Sequence, residues 1–231
     1  DDGSWGHIYR LDSRRMRTNV GNEAWHTDST YLPVSSKCAL LSAVKVPHEG
    51  GETDLADMRA GYAALSSTQQ ADIEALSAYH STQYSQANDL GDFAENEEGT
   101  IYHGEAYLRP LVKTHPETGV KNLFVGRHAF AIPGLSRTES RDLLQQLVTA
   151  VVSEPARVYR HHWRAGDTLL WDNRALLHRA RPYDYDKPRV MTATRVAGDA
   201  SELAYYPDDP QAEAGRIALA EELALLKIEH S

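Results

Sequence analysis

The sequence predicts a mainly β fold, a sandwich or barrel carrying α-helical insertions. Two observations point there. Short apolar runs at 38–46, 157–163, 168–171 and 189–196 sit between Gly- and Pro-bearing turns, and only a few segments with helical spacing interrupt them. No internal repeat, low-complexity tract or linker divides the 231 residues, a length suited to one sizeable core.

Residues 1–20 are polar, lack a signal-peptide hydrophobic stretch and hold a basic cluster, Arg14, Arg15 and Arg17, so they read as a solvated loop. Residues 38–46 read as a mostly buried strand, ended by Pro47 and the Gly50-Gly51 turn. Leu55, Met58, Tyr62 and Leu65 share one face of a helix predicted over 54–65. A second helix is expected over 67–76, with Ser67 and Gln70 in capping-box spacing. Residues 77–86 read as a strand and 87–105 as an acidic surface loop. The segment PLVKTHPETGVKNLFVG predicts a hairpin turning at Pro-Glu-Thr-Gly. Ser136 and Glu139 form a capping box ahead of Leu143, Leu144, Leu147, Val148 and Val151. An Ala/Leu/Glu-rich amphipathic helix is expected from near Pro210, to dock on its own domain or on a second subunit.

Composition narrows the function. The 24 Lys and Arg residues against 33 Asp and Glu give a net charge of −9, which argues against nucleic acid or an anionic membrane surface as main partner. No apolar run approaches the ~20 residues of a membrane span. The single cysteine, Cys38, reads as a buried small hydrophobe; it excludes an intrachain disulfide framework and points to a reducing, cytoplasmic setting. With eleven histidines, any bound metal is expected to use His and carboxylate ligands.

One constellation fits that expectation. In Trp25-His26-Thr27-Asp28 an extended backbone would turn His26 and Asp28 to the same face. Taken alone, the pair has a plainer reading: His26 bonded to the backbone and Asp28 capping a turn at Ser29-Thr30. Far downstream, GDTLLWDNRALLHRARPYDYDKPRVMTATR delivers His178 on a strand and opens the next strand with Arg189. Two His and one Asp make the facial triad of non-haem Fe(II), which leaves coordination positions open for small ligands. Arg189 beside it would hold a carboxylate in a bidentate fork.

Together WHTDSTY, GGETDLADMRAGYAAL, RPLVKTHPETG, GRHAFAIPG and WDNRALLHRARPYDYDKPRVM resemble the taurine/2,4-dichlorophenoxyacetate dioxygenase family, above all its aryloxyalkanoate-cleaving members, from about Gly21 to Gly198. The resemblance implies a double-stranded β-helix, or jelly roll, with helical insertions. It implies Fe(II), held by His26, Asp28 and His178, with 2-oxoglutarate and O2 as co-substrates. Thr53 and Arg189 match the residues that hold 2-oxoglutarate. The implied reaction hydroxylates a small carboxylate, releases succinate and CO2, and cleaves an ether when the hydroxylated carbon bears one. Keeping Asp28 as a carboxylate favours hydroxylation over halogenation.

Where the family often has a second Arg, this chain has Ala193; Arg195, on the same strand face, is expected either to replace it or to form a surface ion pair. Arg127 and His128 resemble a substrate-pocket segment, and Lys113 is a further substrate-binding candidate. His80 and Tyr84 read as structural and His115 as solvated, while His161 and His162 should face opposite ways. Trp171 and the Leu169-Leu170 pair read as core. Family members carry further strands ahead of the His-x-Asp segment, so a single domain lacking its N-terminal part is expected, as is a homo-oligomer. The rival readings are a taurine-like sulfonate or other carboxylic-acid oxygenase, a zinc hydrolase and a non-catalytic binding protein. The hydrolase gives Arg189 and Thr53 no task, and the binding protein should have lost a ligand.

Overall fold

The computed structural model describes residues 10, 13–97, 100–204 and 210–231. Helix α1 (Arg14–Gly21) begins where the Ser13 hydroxyl accepts from the Met16 amide, so this stretch is helical, with Met16 buried, rather than the expected loop. Strand β1 (Ser36–Lys45) follows. Cys38 is half-buried, not buried, because it alternates with inward-facing Ala39. Strand β2 (Thr53–Asp57) replaces the first turn of the expected helix. Pairing to strands on both sides outweighs the local period there, and α2 (Met58–Ala63) starts only once the Asp57 carboxylate caps Arg59 and Ala60 N–H. Helix α3 (Ser67–Ile73) has its capping box one residue earlier than expected, at Ser66 and Gln69.

Strand β3 (Ser77–His80) is short because Ser81 caps α4 (Thr82–Leu90), which sequence spacing left as strand and loop. Then come β4 (Tyr107–Pro110) and the expected hairpin, β5 (Val112–Thr114) with β6 (Lys121–Leu123), followed by β7 (Ala129–Phe130). Helix α5 (Arg137–Val152) carries the predicted capping box, with Ser136 N–H donating to Glu139 at 2.8 Å and Glu139 N–H to Ser136 at 3.3 Å. We expect Ser136→Ala to cost about 1 kcal/mol and lower Tm by about 2–4 °C in a thermal melt. An unchanged Tm would deny the cap its role. Strands β8 (Val158–His161), β9 (Thr168–Asp172), β10 (Leu176–Ala180) and β11 (Val190–Ala197) precede α6 (Pro210–Glu229).

Among the described residues the strands form sheets ordered β11-β1-β9, β10-β2-β8 and β4-β3-β7, plus the β5-β6 hairpin, all antiparallel. The first two sheets meet through Ala39, Leu55 and Trp171, with Leu41, Leu169 and Leu176 around them. Leu169 and Trp171 point inward on β9, so Leu170, expected in the core, lies on the outer face at 61% exposure. Helix α5 covers the back of β2 and β10, burying Leu144, Leu147 and Val151 against Ala56 and Leu177. Helix α6 docks on its own chain: Leu219 and Leu226 pack with Tyr79, Tyr84 and Phe130, and Glu222 pairs with Arg137 at 2.8 Å. No helix among the described residues is long and apolar enough to cross a membrane.

Candidate metal centre and active site

An isolated antiparallel bridge joins His26 to His178. Each amide donates to the other's carbonyl, at 3.0 and 2.9 Å, which turns both side chains to one side with ring centroids 4.2 Å apart. His26 Nδ1 lies 2.8 Å from the Ala24 carbonyl. A carbonyl only accepts, so Nδ1 carries the proton and Nε2 presents its lone pair. Trp171 packs beside His178, centroids 4.8 Å apart. Gly126 (φ +141°) lets the chain pass close to His26, where a Cβ would come 3.2 Å from the His26 Cα.

Asp28, 6% exposed, completes the group. Its backbone is gripped by Asn173, whose side chain accepts from Asp28 N–H and donates to the Asp28 carbonyl, both at 3.0 Å. Its Oδ1 stands 3.8 Å from His26 Nε2 and 3.6 Å from His178 Nε2, beyond hydrogen-bond distance. Arg195 Nε donates to Oδ2 at 3.0 Å. Burial and the neighbouring His178 push the His26 pKa down to about 3, keeping its ring neutral. Burial works the other way on Asp28, but His178, His26 and Arg195 outweigh it and hold the carboxyl well below the usual range. The result is one anionic oxygen and two imidazole nitrogens, all within 4.8 Å of one another and buried.

Arg189 sits at the mouth of β11, its Nε and Nη2 donating to the Gly51 carbonyl at 3.2 and 3.0 Å and its guanidinium 5.9 Å from the Tyr183 ring. Gly51 (φ +72°) is needed there, since a Cβ would meet Arg189 Nε at 3.0 Å. Thr53, buried on β2, accepts from Trp163 Nε1–H at 3.0 Å, which leaves its own hydroxyl proton free to donate.

The three residues expected to bind substrate are not alike. Arg127 pairs with Asp89 of α4 at 2.7 Å and also donates to Ser85 O, so its charge is taken up beside the helix. Lys113 forms a 2.6 Å ion pair with buried Glu202, which also accepts from Ser35. His128 alone borders the triad, 6.1 Å from the His26 ring and 4.8 Å from that of Tyr31. Ser85 spends its hydroxyl proton on Thr82 O, so His128 Nδ1–H must donate to Ser85 Oγ, leaving Nε2 an acceptor. Burial, Arg127 and His26 push its pKa down, so the ring is neutral.

Sequence reasoning passed over Asn173 and Tyr31, for which neither spacing nor period gives a signal. It also took His115 as solvated, whereas His115 is 6% exposed and bonds Asp172 at 2.8 Å. The His115, Glu117 and Asp172 group has metal-like spacing, but Arg174 and Lys37 already neutralise its carboxylates. His161 and His162 diverge as expected, one largely buried and one exposed.

A family model for the taurine catabolism dioxygenase TauD, TfdA family matches residues 6–195. The chain is 50% identical over 195 residues to an (S)-phenoxypropionate/alpha-ketoglutarate-dioxygenase of Sphingobium herbicidovorans, covering 82% of this chain and 67% of that protein. It is 38% identical over 197 residues to an alpha-ketoglutarate-dependent 2,4-dichlorophenoxyacetate dioxygenase of Cupriavidus pinatubonensis, covering 84% and 67%. Among solved structures, AAD-2 in complex with Mn(II) and N-oxalylglycine superposes with a TM-score of 0.79 at 39% identity, over 86% of this chain and 70% of that one. The chain thus spans about two thirds of the length of the curated relatives it matches.

Proposed function

The chain belongs to the taurine catabolism dioxygenase TauD, TfdA family, and from that membership we propose that it is one Fe(II)- and 2-oxoglutarate-dependent dioxygenase domain, folded as a double-stranded β-helix, that hydroxylates a small carboxylate, an aryloxyalkanoate before other acids. The observation that carries the proposal is the convergence of His26 Nε2, His178 Nε2 and Asp28 Oδ1 on one buried point. The donors fit iron: two imidazole nitrogens and one carboxylate oxygen stand too far apart to bond each other and near enough to share a cation. The Ala24 carbonyl fixes the ring of His26 as an outer partner of a metal ligand does.

Ferrous iron held there would activate O2, the oxidant, so that decarboxylation of 2-oxoglutarate is coupled to insertion of one oxygen atom into a substrate C–H bond. The chain's own residues bind and orient. Arg189, anchored on Gly51, and Thr53, with its free hydroxyl proton, hold the distal carboxylate of 2-oxoglutarate. Leu55 and Trp171 keep water from the floor of the site. His128 and Tyr31 wall the substrate pocket; neutral His128 offers an acceptor, so it receives a donor group or packs an aromatic ring rather than pairing with a carboxylate. In the same reading the enzyme is cytoplasmic, which fractionation of the source cells tests, and homo-oligomeric, which sedimentation of the purified protein tests.

Succinate release under air, with Fe(II), ascorbate and 2-oxoglutarate, decides the reaction class. The panel is (R)- and (S)-aryloxypropionates, 2,4-dichlorophenoxyacetate and taurine. Stimulation by an aryloxyalkanoate, lost on chelation of iron, is expected; stimulation by taurine alone would give the sulfonate reading instead. No succinate from folded, iron-loaded protein would overturn the proposal. Arg189→Ala is expected to raise the KM for 2-oxoglutarate about 10–100-fold, the worth of a charge-assisted fork, with a smaller change in kcat. An unchanged KM would remove Arg189 from its place.

A further inference from the structure

The two oxygens of the Asp28 carboxylate have unlike surroundings. Oδ1 faces the imidazoles, 3.8 Å from His26 Nε2 and 3.6 Å from His178 Nε2. Oδ2 accepts from Arg195 Nε at 3.0 Å, and Oδ1 accepts a longer bond from Arg195 Nη2 at 3.4 Å. The sheet register explains how Arg195 arrives there. On β1, Ala39 lies opposite Arg195 of β11 on one side and Trp171 of β9 on the other, so the three form one row turned toward the facing sheet. Ala39 is small enough to leave the guanidinium a path to Asp28, and the next inward position on β11 is the equally small Ala193.

We propose that Arg195 is a positioning residue of the metal centre: by taking Oδ2 of Asp28, it commits Oδ1 to the space between the two histidine nitrogens before any metal arrives. The inference rests on the metal-site reading above. A carboxylate turns broadly about its last torsion, so without a clamp its two oxygens exchange roles and the ligand set loses its preorganisation. Guanidinium meets that need through a planar pair of donors that an ammonium lacks. The same positive charge also repels an incoming divalent cation. Orientation and charge therefore predict opposite signs: if the clamp dominates, its removal weakens metal binding, and if charge alone acts, its removal tightens it.

The test is titration of the metal-free chain with Mn(II), following the free-ion electron paramagnetic resonance signal, for the parent, Arg195→Gln and Arg195→Met. The parent should bind tightest, Arg195→Gln, which keeps one donor, should be weaker, and Arg195→Met should be weaker by about tenfold. Circular dichroism melts of the metal-free proteins accompany the titration, and should Arg195→Met fail to fold, the comparison of Arg195→Gln with the parent retains the opposite signs. Binding by the folded variants as tight as the parent's, or tighter, would overturn the role of Arg195 alone. A parent that does not bind Mn(II) would overturn the metal site and with it this inference.

Discussion

Asp28→Ala is expected to reduce iron-dependent succinate release more than about 1,000-fold while leaving the chain folded. Partners of metal ligands are themselves worth about 10–100-fold, and Asp28 is the proposed ligand itself and the sole carboxylate of the trio. Without it, neutral His26 and its neighbour His178 would face a divalent ion with no compensating negative charge, beside the guanidinium of Arg195. Folding should survive because Asn173 holds Asp28 by its backbone N–H and carbonyl, both of which alanine retains. The measurement is succinate release with saturating Fe(II), read beside a thermal melt. Turnover near the parent's would refute the triad, and a collapse in Tm would show that the carboxylate serves the scaffold as well.

The site was legible in sequence where short-range geometry decides it. His26 and Asp28 lie two residues apart, His26 on the bridge to His178 and Asp28 at the start of the turn that follows, so a short-range pair reaches one point, and the capping box at Ser136 and Glu139 starts α5 because both partners lie within one turn. What stayed hidden depends on partners distant in the chain. Leu55, Met58, Tyr62 and Leu65 carry a helical period, yet residues 53–57 are a strand because β8 and β10 supply hydrogen bonds on both edges. Arg127 and Lys113 read in sequence as cations for a substrate carboxylate, and nothing local reveals that Asp89 and buried Glu202 pair with them. Arg195 does form an ion pair, but its partner is the buried Asp28, far away in the chain, which no local spacing reveals. His115 looked like a turn residue until β9 brought Asp172 to its ring.

Asn173→Leu is the largest stability loss we expect. The side chain is fully buried and bonds three backbone groups on two stretches: Oδ1 accepts from Asp28 N–H, while Nδ2 donates to the carbonyls of Asp28 and Ser36, each at 3.0 Å. Leucine fills similar space but leaves one amide and two carbonyls without these partners in the interior. At about 1–3 kcal/mol for each buried group left unpaired, and allowing the carbonyls some compensation, the cost is about 3–5 kcal/mol. For a chain of this size that lowers Tm by about 8–15 °C. Asn173→Asp should fare little better, because it keeps the acceptor and turns a carboxylate toward two carbonyls. A melt within about 2 °C of the parent for either variant would contradict the account. Asp28→Ala and Asn173→Leu thus fail in opposite ways: the first loses turnover at nearly constant Tm, while the second loses Tm with His26, Asp28 and His178 all still in the chain. Mn(II) binding to Asn173→Leu should then be weakened as well, because the segment that aims Asp28 at His26 and His178 is no longer tied to β1.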